Sequence, residues 1–255
     1  MKSTQTDQSS NHIQSESTGT RSLSKMEVLN MCIHTKETHA RIAVINDEIH
    51  MGICFVDSFD KSVTFFGSAR FKEDNFHYQQ AKNLAFRISK DLGFAIVSGG
   101  GPGIMEAANR GAYEAGGESL GLTIKLPSEQ TTNPYVGRNI GFHYFFTRKV
   151  ALTFSAEVYV YFPGGFGTLD ELFEILTLVQ TGKIEPVPII LVGRDFWGPL
   201  DYFIKQSLLD LHQTINPEDV NLYTITDDEE EMMSIIEKAP IRKNATLPPE
   251  APSDS

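Results

Sequence analysis

The chain has 255 residues, with 22 Lys and Arg against 33 Asp and Glu, and therefore a formal net charge of −11. Because this balance leaves no basic surplus to neutralise a phosphate backbone, nucleic acid is not expected as a partner. A hydrophobic fraction of 40% is sufficient for a sizeable core and excludes a chain that is disordered throughout. Cys32 and Cys54 are too few for a disulfide framework and fit a reducing compartment.

The ends of the chain differ in composition from its middle. Residues 1–34 are rich in Ser, Thr and Gln and predict a disordered polar tail, and the proline-rich segment 239–255 predicts a second tail. A single folded domain is expected over residues 35–238. No apolar stretch is typical of a signal peptide or long enough to span a membrane, so we expect a cytoplasmic protein without a membrane partner.

The first predicted element is a helix near residues 36–57, where apolar residues repeat at helical spacing. These residues are Ile42, Ile45, Ile49, Ile53 and Val56. The sequence leaves open whether this helix covers a sheet or joins a subunit contact.

Six short apolar runs follow and alternate with longer stretches of helical period. They are residues 62–69, 94–100, 119–124, 157–164, 187–193 and 222–226. Runs that are apolar nearly throughout are typical of parallel strands covered on both faces. The pattern predicts an α/β fold, namely a Rossmann-like doubly wound parallel sheet of six or seven strands with helices on both faces. Helices are expected at 142–154 and at 169–179, the second ending near Gly182.

Three of the predicted strands end in glycine-rich loops, at 67–70, 98–103 and 163–168. In a parallel sheet these ends share the carboxyl edge, where open α/β folds bind ligands. Glycines let an anion approach backbone N–H groups, and helices expected to start at Gly103 and Thr168 would add their positive N-terminal ends. A tight turn would explain one such loop, but three together favour a phosphorylated ligand. The residues expected to bind it are Gly67, Ser68, Gly100, Gly101, Gly103, Gly164, Gly165, Phe166, Gly167 and Thr168.

The spacing of the glycines narrows the class of ligand. The loop at 98–103 lacks the dinucleotide fingerprint, and no Walker lysine follows it. A mononucleotide or a sugar phosphate is therefore the better match.

Glu171 and Arg148 are the candidate catalytic side chains. Glu171 lies three residues after Thr168, a spacing that fits a helix capping box and also fits a carboxylate that holds ribose hydroxyls or activates water. Arg148 is surface charge unless it faces Glu171, where it could hold a phosphate or assist a leaving group. Spacing alone does not separate these roles.

The segments SGGGPGIME (98–106), RK (148–149) and PGGFGTLDE (163–171) resemble the LONELY GUY (LOG) family of cytokinin-activating phosphoribohydrolases. The family motif PGGxGTxxE is complete, and the similarity spans about residues 60–237. Family members were long labelled lysine decarboxylases, but no pyridoxal-phosphate lysine site is recognisable. The resemblance implies hydrolysis of the N-glycosidic bond of a nucleoside 5′-monophosphate, with no cofactor and no metal.

The resemblance also implies roles for particular residues. Arg148 and Glu171 match the catalytic pair of the family, and Glu129 matches a glutamate that contacts the substrate. Further residues match positions that line the nucleotide. They are Lys149, Gly164, Gly165, Phe166, Gly167, Thr168, Leu169, Asp170 and Thr177.

Three features resemble the longer bacterial branch of the family rather than its short plant members. They are the polar N-terminal tail, the extra helix, and the sequence Phe145-Phe146-Thr147 before the Arg-Lys pair. These features leave the preferred base open, and the resemblance implies a homodimer or a larger homo-oligomer. Two other functions also remain open: a general purine nucleotide N-ribohydrolase acting on AMP, and a nucleotide carrier that does not cleave its ligand.

Overall fold

The structure is a computed structural model that describes residues 22–27, 36–125 and 132–241. The chain divides into two units, residues 1–41 and 42–255. In the first unit, the backbone N–H of Ser24 donates to a carboxylate oxygen of Glu27 at 2.9 Å. The fold and the site described below lie in the second unit.

The second unit contains a seven-stranded, all-parallel sheet. In chain order its strands are β1 (Ser62–Phe66), β2 (Ala95–Ser98), β3 (Ser119–Ile124), β4 (Arg138–Phe142), β5 (Val158–Tyr161), β6 (Ile189–Leu191) and β7 (Thr224–Ile225). Their order across the sheet is β4-β3-β2-β1-β5-β6-β7. The strand order therefore reverses between β1 and β5, which is where open α/β sheets form a ligand crevice.

Helices precede, connect and follow the strands. In the described residues they are α1 (Lys36–Asp57), α2 (Phe76–Arg87), α3 (Ile104–Glu114), α4 (Phe145–Thr153), α5 (Phe166–Gln180), α6 (Arg194–Phe203) and α7 (Glu229–Glu237). Helix α2 continues into a π-helical segment, Ile88–Leu92, and α6 into another, Ile204–Leu211. A short 3₁₀ helix, Pro217–Asn221, precedes β7.

Two hydrophobic clusters, one on each face of the sheet, form the core. Successive strand residues point to opposite faces, so Phe65 belongs to the cluster that includes α2, α3 and α7, and Phe66 to the cluster that includes α4, α5 and α6. Because both faces are covered, the strands are buried and apolar, as the sequence runs predicted. The predicted α/β class, with a doubly wound parallel sheet, is confirmed.

All six strands predicted from the sequence are present, and β4 is the strand that the prediction did not locate. Its sequence, RNIGF, contains two polar residues and a glycine, and it lies at the edge of the sheet with its first residues exposed. An edge strand of this kind carries no continuous apolar run. Phe142 consequently ends β4 instead of starting the helix predicted at 142–154, which begins at Phe145.

Helix α1 confirms the predicted extra helix, but its buried face is shifted. The buried residues are Glu48, Gly52 and Val56, while Ile42 is 51% exposed. A Cβ atom at Gly52 would lie 2.8 Å from the Cβ of Ala151, so α1 packs closely against α4. The part of this helix that belongs to the second unit therefore packs on α4. No helix among the described residues is long and apolar enough to span a membrane.

Candidate functional site

A cavity of about 680 Å³ opens at the carboxyl edge of the sheet, where the strand order reverses. Two of its walls are the loop after β1 (67–71) and the segment 163–168, which follows β5 and includes the first residues of α5. The remaining lining residues are Phe66, Gly99, Met105, Ile124, Phe145, Arg148, Glu171 and Phe196. Two of the three glycine-rich loops thus contribute most of the wall, and the third contributes through Gly99.

The loop after β5 leads directly into α5, whose N-terminus faces the cavity. The helix begins at Phe166, with Gly165 as the N-cap residue in an extended conformation. The first N–H groups of a helix have no acceptor within it, so this end offers hydrogen-bond donors and a positive dipole to an anion. A Cβ atom at Gly165 or Gly167 would meet no atom within 4 Å, so these glycines leave the approach open.

The capping-box interpretation of Thr168 and Glu171 is wrong. Because α5 begins two residues earlier than the sequence suggested, Thr168 lies inside its first turn and no side chain caps the helix. The buried Thr168 side chain packs over Gly164 instead. If Gly164 had a Cβ atom, that atom would lie only 2.6 Å from the Cβ of Thr168. Glu171 is therefore free of a capping role.

Most of the glycines in the loop after β2 lie behind the cavity wall and do not line it. Gly100, Gly101 and Gly103 are buried and do not belong to the cavity wall. The first N–H of α3, at Ile104, donates to the carbonyl of Ser68 at 3.0 Å. Ser68 and Ala69 of the loop after β1 lie directly against Gly103, which does not support the expectation that its N–H group holds an anion. The roles expected of Gly100 and Gly101 stay predictions.

Arg148, in the first turn of α4, enters the cavity wall from the side of β3. Its Nε donates to the carbonyl of Leu122 at 2.6 Å, which fixes the direction of the guanidinium. Gly99 provides the space for this group, since a Cβ at that position would collide with Nη2 of Arg148. The Arg148 side chain is only 11% exposed, and burial lowers its pKa while the nearby Glu171 raises it.

Glu171 faces Arg148 across the cavity, with 3.9 Å between Oε1 and the arginine Nη1. The carboxylate side chain is 17% exposed, and burial raises its pKa to about 7, although Arg148 acts in the opposite direction. Burial disfavours the charged form, and a cation nearby favours it. The result is a carboxyl group that exchanges a proton near neutral pH, beside a guanidinium.

Of the other residues predicted for the site, some line the cavity and some do not. Gly67 and Ser68 line the cavity, together with the loop at 164–168. Lys149 pairs with Asp170 at 2.9 Å and with Glu174 at 3.3 Å, outside the cavity wall. Leu169 and Thr177 also lie outside the wall, and Glu129 lies outside the described residues.

Sequence reasoning missed several lining residues. They are Ala69, Arg70, Phe71, Met105, Ile124, Phe145 and Phe196. Arg70 lies in the same loop as Gly67 and Ser68, which were predicted to bind the ligand, so its position in the sequence could have indicated that it lines the site. Phe196 comes from α6, after β6, and no motif marks it. Together the aromatic residues give the cavity an apolar wall beside its charged pair.

The residues that the structure describes contain neither a candidate metal site nor, at the cavity wall, an aldimine site. In the part of the chain that the structure describes, no group of three or more His, Cys, Asp or Glu side chains could hold a metal ion. No lysine occurs among the described residues that line the cavity. An aldimine with pyridoxal phosphate requires a lysine amine, so this wall does not fit that cofactor.

These features define an α/β protein with an open, uncapped helix N-terminus and a largely buried Arg–Glu pair at the switch point of its sheet. Residues 105–236 match the sequence model of a family described as "Possible lysine decarboxylase", and the chain belongs to this family. Curated relatives carry the name cytokinin riboside 5′-monophosphate phosphoribohydrolase. This agrees with the LOG resemblance of the sequence.

The rice (Oryza sativa subsp. japonica) protein LOG is 31% identical over 157 residues, covering 59% of this chain and 62% of the rice protein. LOG5 of Arabidopsis thaliana is 26% identical, covering 70% of this chain and 78% of that protein. Among solved structures, the structural-genomics target TM1055 has a TM-score of 0.53 and 26% identity, covering 69% of this chain and 98% of that one. A molybdenum cofactor carrier protein of Chlamydomonas reinhardtii has a TM-score of 0.51 at 23% identity and shares the fold, covering 70% of this chain and 98% of its own.

Proposed function

We propose that this chain hydrolyses the N-glycosidic bond of nucleoside 5′-monophosphates, releasing a free base and ribose 5-phosphate. The observation that carries the proposal is the buried pair of Arg148 and Glu171 beside the open N-terminus of α5. The names of the curated relatives support the same reaction class. The proposal also accounts for an anion site on an acidic protein, because helix N–H groups rather than lysines bind the phosphate.

In the proposed reaction the bond between C1′ of the ribose and the base nitrogen breaks, and its electron pair goes to the base. The ribose passes through a state with oxocarbenium character, which the Glu171 carboxylate stabilises. Arg148 donates a hydrogen bond to the departing base. A water molecule then adds to C1′ and gives one proton to Glu171, whose pKa of about 7 suits a base that works near neutral pH. The departing base takes up a proton from the solvent, and Glu171 returns its proton to the solvent, which restores the carboxylate.

The 5′-phosphate is proposed to bind at the N-terminus of α5, within the segment Gly165 to Thr168. Two glycines there leave open space in front of the backbone. The base is proposed to lie against the apolar wall that includes Phe145 and Phe196. Such a wall favours a prenylated adenine over a plain purine, because additional apolar surface is removed from water.

The test is the release of base from AMP and from isopentenyl-AMP by the purified protein, without added metal. We expect free base and ribose 5-phosphate from both, with faster turnover of the prenylated nucleotide. Glu171→Gln should lower kcat by about 100-fold or more, while the exposed control Glu185→Gln should match the wild type. Near wild-type turnover by Glu171→Gln would contradict the proposal, and binding without any release by the wild type would favour a carrier.

We also propose an oligomeric state and a cellular location for the protein. A cytoplasmic homodimer or larger homo-oligomer is the form implied by the resemblance to the LOG family. Light scattering of the purified full chain tests the oligomeric state, and a single species with the mass of one chain would contradict it.

A further inference from the structure

A carboxylate from α1 is buried at the start of the helix that carries Arg148. Glu48 is 5% exposed. It accepts hydrogen bonds from the backbone N–H of His143 and, at 3.2 Å, from that of Tyr144. The hydroxyl of Thr147 also donates to it, at 2.7 Å.

The sequence around the start of α4 provides no cap of its own. Tyr144 occupies the N-cap position, and its side chain makes no capping hydrogen bond. A negative charge at a helix N-terminus is favourable because it meets unpaired N–H groups and the positive end of the dipole. Burial raises the pKa of Glu48, but the hydrogen bonds from Thr147, His143 and Tyr144 outweigh it and leave the pKa below its usual range.

The same helix turn holds Arg148. Its backbone N–H donates to the carbonyl of Tyr144, one of the residues that Glu48 fixes. One turn further along both helices, Gly52 of α1 packs against Ala151 of α4. Helix α1 therefore contacts α4 before and after Arg148, although Glu48 itself does not line the cavity.

We propose that Glu48 is a positioning residue, which caps α4 from a different helix and thereby keeps the Arg148 guanidinium opposite the Glu171 carboxylate. The proposal rests on the reaction proposed above for this pair. It assigns the extra helix α1 a part in catalysis, in addition to its packing against α4.

Loss of the Glu48 carboxylate leaves the backbone N–H groups of His143 and Tyr144 without this acceptor. The Thr147 hydroxyl keeps only its other acceptor, the carbonyl of Tyr144 at 2.8 Å, so the first turn of α4 should shift. Such a shift should lower kcat more than it raises KM, since Arg148 is proposed to act as the base departs. It should also weaken the effect of Arg148 on Glu171. The other groups that act on Glu171 are Lys149 on α4, Asp170 and Glu174 on α5, and Tyr161 on β5. Because Lys149 is also on α4, a shift of this helix would move both Arg148 and Lys149 away from Glu171, while Asp170 and Glu174 on α5 would stay in place.

The experiment compares Glu48→Ala, Glu48→Gln and Thr147→Val with two controls on α1. Asp47→Ala removes an exposed carboxylate from the neighbouring position, and Val56→Ala weakens a buried contact elsewhere in the helix. For Glu48→Ala we expect kcat with AMP to fall at least about tenfold while KM changes less than about threefold. Glu48→Gln and Thr147→Val each keep part of the hydrogen-bonding set, so they should show smaller changes in the same direction. Both controls should retain the wild-type kcat.

A second readout does not depend on turnover. The Glu171 carboxyl can be titrated by carbon NMR in protein labelled at glutamate and assigned with Glu171→Gln. Its pKa should rise by about half a unit or more in Glu48→Ala and stay unchanged in Asp47→Ala and Val56→Ala.

The outcomes separate this proposal from the proposed reaction. If the wild type releases no base but Glu48→Ala still shifts the Glu171 titration, the reaction is wrong and the positioning role stands. If Glu48→Ala is merely less stable, with kcat and the Glu171 titration unchanged, the positioning role is wrong. If Glu48→Ala does not fold, Glu48→Gln and Thr147→Val decide, and wild-type kcat and titration in both would overturn the proposal.

Discussion

Arg148 and Glu171 approach within 3.9 Å of each other from two helices that flank β5 in the chain, α4 before the strand and α5 after it. Arg148 depends on two other strands for its position. The carbonyl of Leu122 on β3 holds the arginine, and Gly99 after β2 makes room for it. The pair is therefore a product of the parallel topology, which brings the carboxyl ends of β1, β2, β3 and β5 to one edge.

The buried state of Glu171 predicts an acid limb in the pH dependence of base release. If the carboxylate is the active form, kcat should fall as the pH drops below about 7, since the pKa of Glu171 is raised to about 7. The substrate phosphate also titrates, near pH 6, so the measurement is kcat at saturating AMP rather than kcat/KM. A kcat that does not change between about pH 5.5 and about pH 8 would contradict the assigned role.

The same burial predicts that Glu171 destabilises the protein at neutral pH. The folded pKa of about 7 exceeds the value of about 4.3 expected in the unfolded chain, so the folded state holds more protons between these values. Stability from the neutral carboxyl is therefore complete below about pH 4 and is lost as the pH rises to about 7. Relative to the wild type, Glu171→Gln should gain up to about 3 kcal/mol in free energy of unfolding between pH 4 and pH 8.

Urea unfolding of the two proteins at both pH values measures this difference. Shared carboxylates cancel in the comparison, and the exposed control Glu185→Gln should show a constant difference from the wild type. A Glu171→Gln difference that is equally constant would contradict the buried, proton-exchanging carboxyl.

The fold was predictable because a sheet covered on both faces demands apolar runs, and the sequence contains six of them. Strand β4 was not predicted because an edge strand does not require an apolar run, and its sequence, RNIGF, contains none. The start of α5 was misplaced because Thr168 is a good cap residue by type, whereas the chain uses Gly165. Local residue preference could not reveal that the Thr168 side chain packs over Gly164.

The sequence predicted the position of the candidate site better than the residues that form its walls. Motif spacing identified Arg148 and Glu171, and both line the cavity. Spacing could not show that the loop after β1 covers Gly103, because that contact joins segments distant in sequence. The contacts of Glu48 could not be predicted for the same reason, since the sequence around a glutamate in an apolar helical repeat does not indicate which residues of α4 it contacts.

Gly99→Ala is expected to reduce turnover without unfolding the protein. The added methyl group would meet Nη2 of Arg148 and lie 2.7 Å from Sδ of Met105, and both are ends of flexible side chains that can move. Displacement of the guanidinium should lower kcat by about tenfold or more. The measurement is kcat with AMP beside the unfolding midpoint.

Gly198→Ala is the matched control for this substitution, because a Cβ there meets no atom within 4 Å. It should leave kcat unchanged. Wild-type kcat in Gly99→Ala would show that Arg148 tolerates displacement and would argue against its proposed contact with the departing base.

Phe166 opens α5 at the cavity mouth and is 93% exposed, so its large apolar surface has no role in the described core. Phe166→Ala should therefore change the free energy of unfolding by less than about 0.5 kcal/mol. If the ring contacts the bound base, its removal should raise KM by about fivefold or more, since stacking of a base on an aromatic ring contributes about 1 kcal/mol or more. Tyr202→Ala, 68% exposed and outside the cavity wall, is the control. An unchanged KM for both AMP and isopentenyl-AMP, with an altered oligomeric state, would instead assign Phe166 to a contact between copies of the chain.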